Sequence, residues 1–572
     1  MLNPSYIQRL FLVLCIGSVF FSCNNNTDKN RIDEDKYRLA LNRNIPLSNS
    51  IHEFVDKQQL KSQFGCDYEK PVTFFYQTRD FLPFWSDTGK LFNYTIQFKK
   101  YLDTAEYDGL VKDDYAYQRI DKLWMKLTKD TLSKTTINQN HWAQLDILLT
   151  NAFFNVCADL KQGRLQSDSL SWKNDTSKFT SFFIPQINLL EENNKPVYVF
   201  NALQPQYADY WKLRNSMKTF LKNRDTTNFV FIDLALLKGN LQDSISFYNA
   251  LFSRLAQDSI TDTSLHKNEL PDSTVLSNAI KLWQEKHVLS TNGLLNSELL
   301  KQINLTDNRK YARLIVTLDR FKQLPDNMQQ TFILVNLPAY QLNFWDDDTV
   351  VISSKVICGK PLTPTPSLKS AVREIVTFPT WTVPNSIIKK EMLPQLKKNS
   401  AYLAKKGLGL YDHKGKNVDP ATVDWTKYNK GIPFKIRQKS GERNALGAIK
   451  FNFDNDFDVY LHDTNERYLF QRQRRCLSHG CVRVEQWKNL ALSIARYDSL
   501  KAEGQTKLKY NSDSIINWIA NKEHHRIKIN QPIPIIIAYL TCAAENGKLI
   551  FHDDIYNDDD RLIKRYFSIF NN

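Results

Sequence analysis

The spacing of apolar and polar positions changes character twice along the chain. From about residue 51 to 245, apolar residues recur at helical intervals. Thr73-Phe-Phe-Tyr76 leads to Phe81-Leu-Pro-Phe-Trp85, and Leu145, Ile147, Leu148, Ala152, Phe153, Val156 and Leu160 form one long periodic run. Tyr107-Asp-Gly-Leu110 and Gly163-Arg164 punctuate these runs as turns. No cluster of catalytic residue types occurs there, so 51–245 is predicted to be a helical structural domain. Residues 246–310 read as a smaller helical unit, in which Leu276, Ala279, Ile280 and Trp283 share one helix face. Asn292-Gly293 makes its turn, and another helix starts at Ser297. A connecting helix is expected within 311–330.

From 331 the period becomes that of strands. Thr331 to Leu337, Thr349 to Ser353, Lys355 to Cys358 and Glu374 to Phe378 are short β-branched runs set off by Asp, Gly and Pro. A Lys-rich stretch, 385–436, interrupts them before strand character returns at 448–453 and 459–461, and an insertion placed there is a candidate lid. Gln486 to Leu500 reads as a helix. Ile533 to Leu540 reads as one more strand, and Pro532 and Pro534 predict that it starts at a sheet edge. The chain is therefore expected to be multidomain α+β. A catalytic domain occupies 331–500, and a C-terminal segment, 501–572, returns to it or to the helical domain.

The first fifty residues differ from all of this. Arg9 precedes an apolar run, Leu10 to Phe21, which is too short to span a bilayer and has the form of a secretory signal core. Ser22-Cys23 followed by Asn24 resembles a bacterial lipoprotein signal, with Phe20 where such signals usually have Leu. On that reading 1–22 is a signal peptide, Cys23 is lipidated and 23–50 is a tether. Acyl chains on Cys23 would hold the protein on a membrane, about 0.8 kcal/mol per buried methylene.

At 572 residues the chain is too long for a single core. Its net charge of +15 favours an acidic partner. The Lys and Arg residues are dispersed and accompany no nucleic-acid-binding motif, so no nucleic acid is expected. The cysteines are scattered and fit neither a zinc pattern nor a disulfide framework. His524-His525 and His552-Asp-Asp554 fit a solvated tail better than a metal site. No metal or other cofactor is expected.

Chemistry concentrates between Tyr460 and Arg483. A cysteine is mostly protonated at neutral pH, so a nucleophilic thiol needs a base nearby. His462 ends a strand-like run, and Ser478-His-Gly-Cys481 follows a connection long enough to return alongside it. Cys481 is the predicted nucleophile and His462 the base. The backbone carbonyl of Asp463 is a partner for the second nitrogen of His462. His479 and Gly480 shape the turn, letting backbone N–H groups at Gly480 and Cys481 converge on an oxyanion.

His462, fifteen intervening residues and Ser478-His-Gly-Cys-Val-Arg483 resemble the signature of YkuD-type L,D-transpeptidases. Asn336 to Tyr340, Gly359-Lys360, Thr363 to Pro366, Phe378 to Pro384, Asp424-Trp425, Arg437-Gln438, Asn444 to Gly447 and Tyr460 to Thr464 extend that resemblance to the large YcbB-like subfamily. The stretch around Trp283 resembles a three-helix peptidoglycan-binding module. The resemblance implies a helical scaffold, that module, and a β-rich catalytic domain with a capping insertion at 385–436. It implies that Cys481 takes the acyl group of a peptidoglycan tetrapeptide stem, releases D-alanine and passes the acyl group to an amine of a neighbouring stem. Arg437, Asn444, Tyr460, Ser478 and Arg483 are then expected to contact substrate, and carbapenem-type inhibitors to acylate the thiol. A lipid-anchored protein facing the periplasm of a Gram-negative-type envelope fits this reading. A catalytically silent peptidoglycan-binding lipoprotein, an L,D-carboxypeptidase and transfer to a protein lysine stay open. Cys476 stands where the family commonly has a small apolar residue. It is either a buried filler or a redox partner of Cys481.

Overall fold

The computed structural model describes residues 44–566 apart from 58–59, 88, 133–137, 166–176, 226–229, 262–268, 288, 326–330, 348, 430 and 502–509. The signal peptide, Cys23 and residues 24–43 of the expected tether lie outside the described residues. The remainder of that stretch is helical, over 44–56, because Leu47, Ile51 and Val55 fall on one face and are buried in the first core. Among the described residues no helix is long and apolar enough to cross a membrane.

The described chain forms two compact units. The first takes its described residues from 44–106, 110–162 and 166–204. Its centre is the helix Gln139–Gln162, which is apolar on nearly every side and accordingly buried almost throughout. Its buried acidic residue is well partnered. Asp146 accepts from the Tyr76 hydroxyl at 2.7 Å and from the Trp85 N–H at 2.9 Å. Trp85 stacks on Phe98 at 5.2 Å.

The second unit comprises 107–109, 163–165 and the described residues from 205 onward. The stretch expected to form a single helical domain, 51–245, is thus shared between the units. The helix Ala208–Asn223 belongs to the second, where Leu213 and Met217 are fully buried. The expected turn at Gly163-Arg164 sits there too, its following N–H groups donating to buried Asp319 at 2.6 and 2.7 Å.

Three helices, Leu241–Gln257, Ser273–Lys286 and Ser297–Ile303, share a core of Phe247, Leu251, Ile280, Trp283 and Leu300. His287 is packed flat on Trp283 at 3.8 Å. The next helix, Asp307–Lys322, is buried from Tyr311 to Lys322. Buried Arg313 and Arg320 both pair with Asp559 of the C-terminal segment, at 2.9 and 2.6 Å.

The β-rich part is a sheet of nine strands: β1 Phe332–Asn336, β2 Gln341–Asp346, β3 Thr349–Gly359, β4 Leu368–Thr377, β5 Ile449–Phe453, β6 Leu461–His462, β7 Cys476–Ser478, β8 Val482–Val484 and β9 His525–Ala538. Their order is β7-β3-β8-β6-β5-β4-β9-β1-β2, and β2 also pairs with β3, closing the sheet on itself. The two runs at 349–353 and 355–358 are one strand, long enough to pair with β2 at one end and with β8 and β7 at the other. Helix Trp487–Lys501 contributes Leu490 and Ile494 to the core.

Two expectations for the C-terminal segment change. β9 is an interior strand between β4 and β1, not an edge. Its ladder with β4 is interrupted between Lys528 and Ile533, and its pairing with β1 begins only at Ile535. Pro532 therefore sits in a bulge and Pro534 just before the parallel ladder, positions where a missing N–H is tolerated. The expected solvated tail is ordered structure. His525 stacks on Trp518 at 4.1 Å, and burial pushes the imidazole of His552 down to about 4. Among the described residues, no group of His, Cys, Asp and Glu is placed to hold a metal.

The insertion is a subdomain with its own core of Met392, Leu396, Leu403, Leu410, Trp425 and Ile436. Its strands Trp381–Thr382, Lys435–Gln438, Leu408–Tyr411 and Asn417–Val418 form a separate sheet. The paired ends Trp381 and Gln438 fasten its entry and exit together.

Candidate active site

Between this subdomain and the end of β6 lies a cleft of about 1260 Å³, lined by Cys481, His462, Tyr460, His479, Trp381 and Tyr402 among others. Its chemistry comes from two adjacent parallel strands. β6 and β8 pair Leu461 with Val482 and His462 with Arg483, and the Val482 N–H donates to the Tyr460 carbonyl at 3.1 Å. Cys481 opens β8, beside Tyr460. Parallel neighbours bring the start of one strand beside the start of the other, which the intervening sequence hides.

The turn before Cys481 is tightly held. The Ser478 hydroxyl donates to the Cys481 carbonyl at 2.6 Å and accepts the Gly480 N–H at 3.2 Å. The Thr365 hydroxyl donates to the Gly480 carbonyl at 2.7 Å, and the Gly359 N–H donates to Thr365 at 2.9 Å. Gly480 has φ +123°, a conformation that other residues rarely adopt. Its N–H is occupied by Ser478, whereas the Cys481 N–H has no hydrogen-bond partner among the described residues and is available to an acyl oxygen.

His462 is 5 % exposed, and its Nδ1 lies 2.5 Å from the Asp463 carbonyl. Nδ1 therefore carries the proton, and Nε2 is the acceptor. Burial, with the charges of Arg483 and Lys450, pushes the imidazole down to about 3. The Asp463 carboxylate is fully buried and accepts from Arg467 at 2.6 Å and from the Ala448 N–H at 2.9 Å. Gly447 has φ +63°, and a Cβ there would lie 2.3 Å from that carboxylate.

Burial raises the Cys481 thiol, while the Tyr460 N–H, the Tyr460 hydroxyl and the Lys450 ammonium favour its anion. The resting pair is a neutral thiol with a neutral imidazole. The thiol donates weakly to the Asp458 carbonyl at 3.7 Å.

The other predicted residues divide. The His479 side chain turns away from the thiol to the capping subdomain, its Nε2 2.5 Å from Glu391. Asn444 is buried and spent on its own loop, donating to the Lys439 carbonyl at 2.9 Å and accepting from the Leu446 N–H at 2.8 Å. Arg483 lines the cleft but pairs with Glu466 at 2.8 Å. Arg437 lies in the capping sheet over the Tyr411 ring and is absent from the cleft lining. The Ser478 hydroxyl belongs to the turn. Tyr460, expected to touch substrate, stands against the nucleophile itself. Cys476 is buried in the sheet core, on the opposite side of β3 from β8, and its sulfur accepts from Arg474 at 3.2 Å. It is packed as a filler and is not brought to Cys481. Lys450 was not anticipated, and Thr365 stood out only as part of the stretch Thr363 to Pro366. Only the alternation of β5, with Ile449, Phe451 and Phe453 in the core, marks Lys450 as facing the other way.

Residues 330–496 match a family model described as the L,D-transpeptidase catalytic domain of YkuD type, and residues 70–217 match one described as a scaffold domain. A Haemophilus influenzae protein named as an L,D-transpeptidase is 33 % identical over 262 residues, 46 % of this chain and 50 % of that one. The chain thus spans about half the length of this curated relative. Similar solved structures include an ertapenem-acylated Enterococcus faecium L,D-transpeptidase catalytic domain (12 % identity, 37 % of this chain, 99 % of that chain, TM-score 0.17). Another is the Mycobacterium smegmatis enzyme (12 % identity, 36 % and 58 %, TM-score 0.18). Scores this low add nothing to the family matches.

Proposed function

From the YkuD-type L,D-transpeptidase catalytic domain that this chain carries beside a scaffold domain, we propose a cysteine-dependent L,D-transpeptidase of the YcbB-like subfamily acting on peptidoglycan stems. The observation that carries the reading is the junction of β6 and β8. There a largely buried thiol and an imidazole with a fixed acceptor nitrogen open into one cleft.

Cys481 attacks the carbonyl carbon of the third stem residue while Nε2 of His462 accepts the thiol proton. Because the imidazolium is held down near 3, the proton leaves the thiol in step with attack rather than beforehand. The Cys481 N–H donates to the oxyanion. The C–N bond to D-alanine breaks, and the proton on His462 passes to the departing amine. A side-chain amine of a second stem then attacks the thioester, gives up a proton to His462 and frees the thiol, leaving a 3→3 cross-link. The amide cleaved balances the amide formed, so no nucleotide is consumed. The three-helix unit around Trp283 would hold the glycan, and a lipid on Cys23 would place the enzyme on an envelope membrane facing the periplasm.

Incubation with a disaccharide-tetrapeptide, read by mass, tests this. Cross-linked dimer is the expected product. Tripeptide monomer would make the enzyme a carboxypeptidase, and unchanged substrate a binding protein. Cys481→Ala is expected to give no product and no ertapenem adduct, and activity in that variant would refute the nucleophile.

A further inference from the structure

Lys450 is a half-buried ammonium with no carboxylate at ion-pair distance among the described residues. It sits in the middle of the sheet, opposite His462 on β6 and Val376 on β4. Its Nζ lies 3.7 Å from the centroid of the Tyr460 ring, and that ring stands edge-on to His462 at 5.6 Å. The carboxylate of its own neighbourhood, Glu374, is already taken by Arg526 at 2.9 and 3.1 Å and by Asn452 at 2.6 Å. A buried cation left unneutralised is unfavourable unless something anionic forms beside it. The Tyr460 ring face offsets part of that. Besides Glu374, the anion-forming groups whose charge acts on Lys450 are Cys481, the stronger, and Asp458.

We propose that Lys450 is the positioning cation of this thiol. Seated on the Tyr460 ring, its ammonium holds the tyrosine hydroxyl toward the Cys481 sulfur and stabilises negative charge there as the proton leaves. The inference rests on the reading of Cys481 as nucleophile, and it does not depend on which acyl acceptor the enzyme uses. The arrangement answers a difficulty of the site. Burial raises the thiol and depresses the imidazole, so charge separation between them is doubly disfavoured. A fixed cation behind Tyr460 lowers the free energy of the anionic side without contacting the substrate, since Lys450 lies outside the cleft lining. The charged and titratable groups around the pair are Glu374 and Arg526 behind it, Asp458 and Tyr460 beside the sulfur, and His462 and Arg483 on the paired strands.

Iodoacetamide alkylation of Cys481, followed by peptide mass across pH 6 to 10.5, reads the sulfur's protonation without any peptidoglycan substrate. Loss of the transpeptidase reading would therefore leave this test intact, and the reverse also holds. For Lys450→Met the midpoint is expected to rise by about one pH unit. The rate at pH 7.5 should then fall about three- to tenfold, because the thiolate fraction drops while each thiolate becomes more nucleophilic. Lys450→Arg, which keeps the charge, should bring the midpoint back to within a few tenths. With tetrapeptide, Lys450→Met should lower kcat about tenfold and leave KM near the wild-type value. If Lys450→Met fails to fold, Lys450→Gln is read in the same way. A folded neutral variant with the wild-type midpoint would overturn the proposal, as would Lys450→Arg shifting as far as the neutral variants.

Discussion

Single residues carry most of what is chemical here, and their environments pull against one another. Cys481 is raised above the ordinary thiol value of 9.0 by burial. Its alkylation should therefore still be climbing at pH 9, where a preformed thiolate–imidazolium pair would have levelled off well below that. A plateau below pH 8 would contradict the neutral resting pair. The same residue is the described cysteine that opens into a cleft, whereas Cys66, Cys157, Cys358, Cys476 and Cys542 are buried. Brief labelling of the unreduced protein should mark Cys481 ahead of the others. A Cys476–Cys481 cross-link in active protein would instead restore the redox reading. At Gly447 a methyl group would meet the Asp463 carboxylate under the carbonyl that orients His462. Gly447→Ala should lower stability by about 2–4 kcal/mol in urea unfolding, and kcat should fall with it.

Elements determine whether those residues meet. β9 lies between β4 and β1, so a chain ending at residue 524 would expose two strand edges at the heart of the sheet. Such a truncation should be insoluble, and a soluble, carbapenem-reactive product would contradict the observed strand order. The capping subdomain behaves differently because it has its own core. Trp425→Ala removes a buried indole there, a loss of about 3–5 kcal/mol. Hydrogen exchange should quicken across 385–436 while β3, β4 and β9 stay protected. Loss of protection in those strands as well would mean that the cap and the sheet fold as one piece.

At the scale of the molecule, pH dependence sums over buried groups. Folding pushes three imidazoles down, His287 and His552 to about 4 and His462 to about 3. Between those values and the unfolded value near 6.5, the unfolded chain binds protons that the native chain refuses, so stability rises with pH through this window and is lost on acidification. Desolvation raises the carboxyls of Asp146, Asp554 and Glu191, which act in the opposite sense. The thermal midpoint should fall from pH 7 to pH 5, and a flat profile would mean the carboxyls cancel the imidazoles. Much of this chain was legible from its letters. Helical and strand periods are local, so the long buried helix ending at Gln162, the β-branched runs after 331 and the helix from Trp487 could be read from spacing. His462 and Ser478-His-Gly-Cys481 could be read because the turn and the strand end put the same chemical demands on those few positions in any setting. Long-range pairing could not be read. Two prolines argued for an edge, and only the interrupted ladder with β4 shows how an interior strand tolerates them. What the side chains of Arg437, Asn444 and His479 touch was decided only by the folded loop and the capping subdomain, and their partners are Tyr411, Lys439 and Glu391. Lys450 looked like any solvent-facing strand residue. Its meaning came from the parallel register that sets β6 beside β8, because a charge acts through space and the distance it acts over is decided only when the sheet closes.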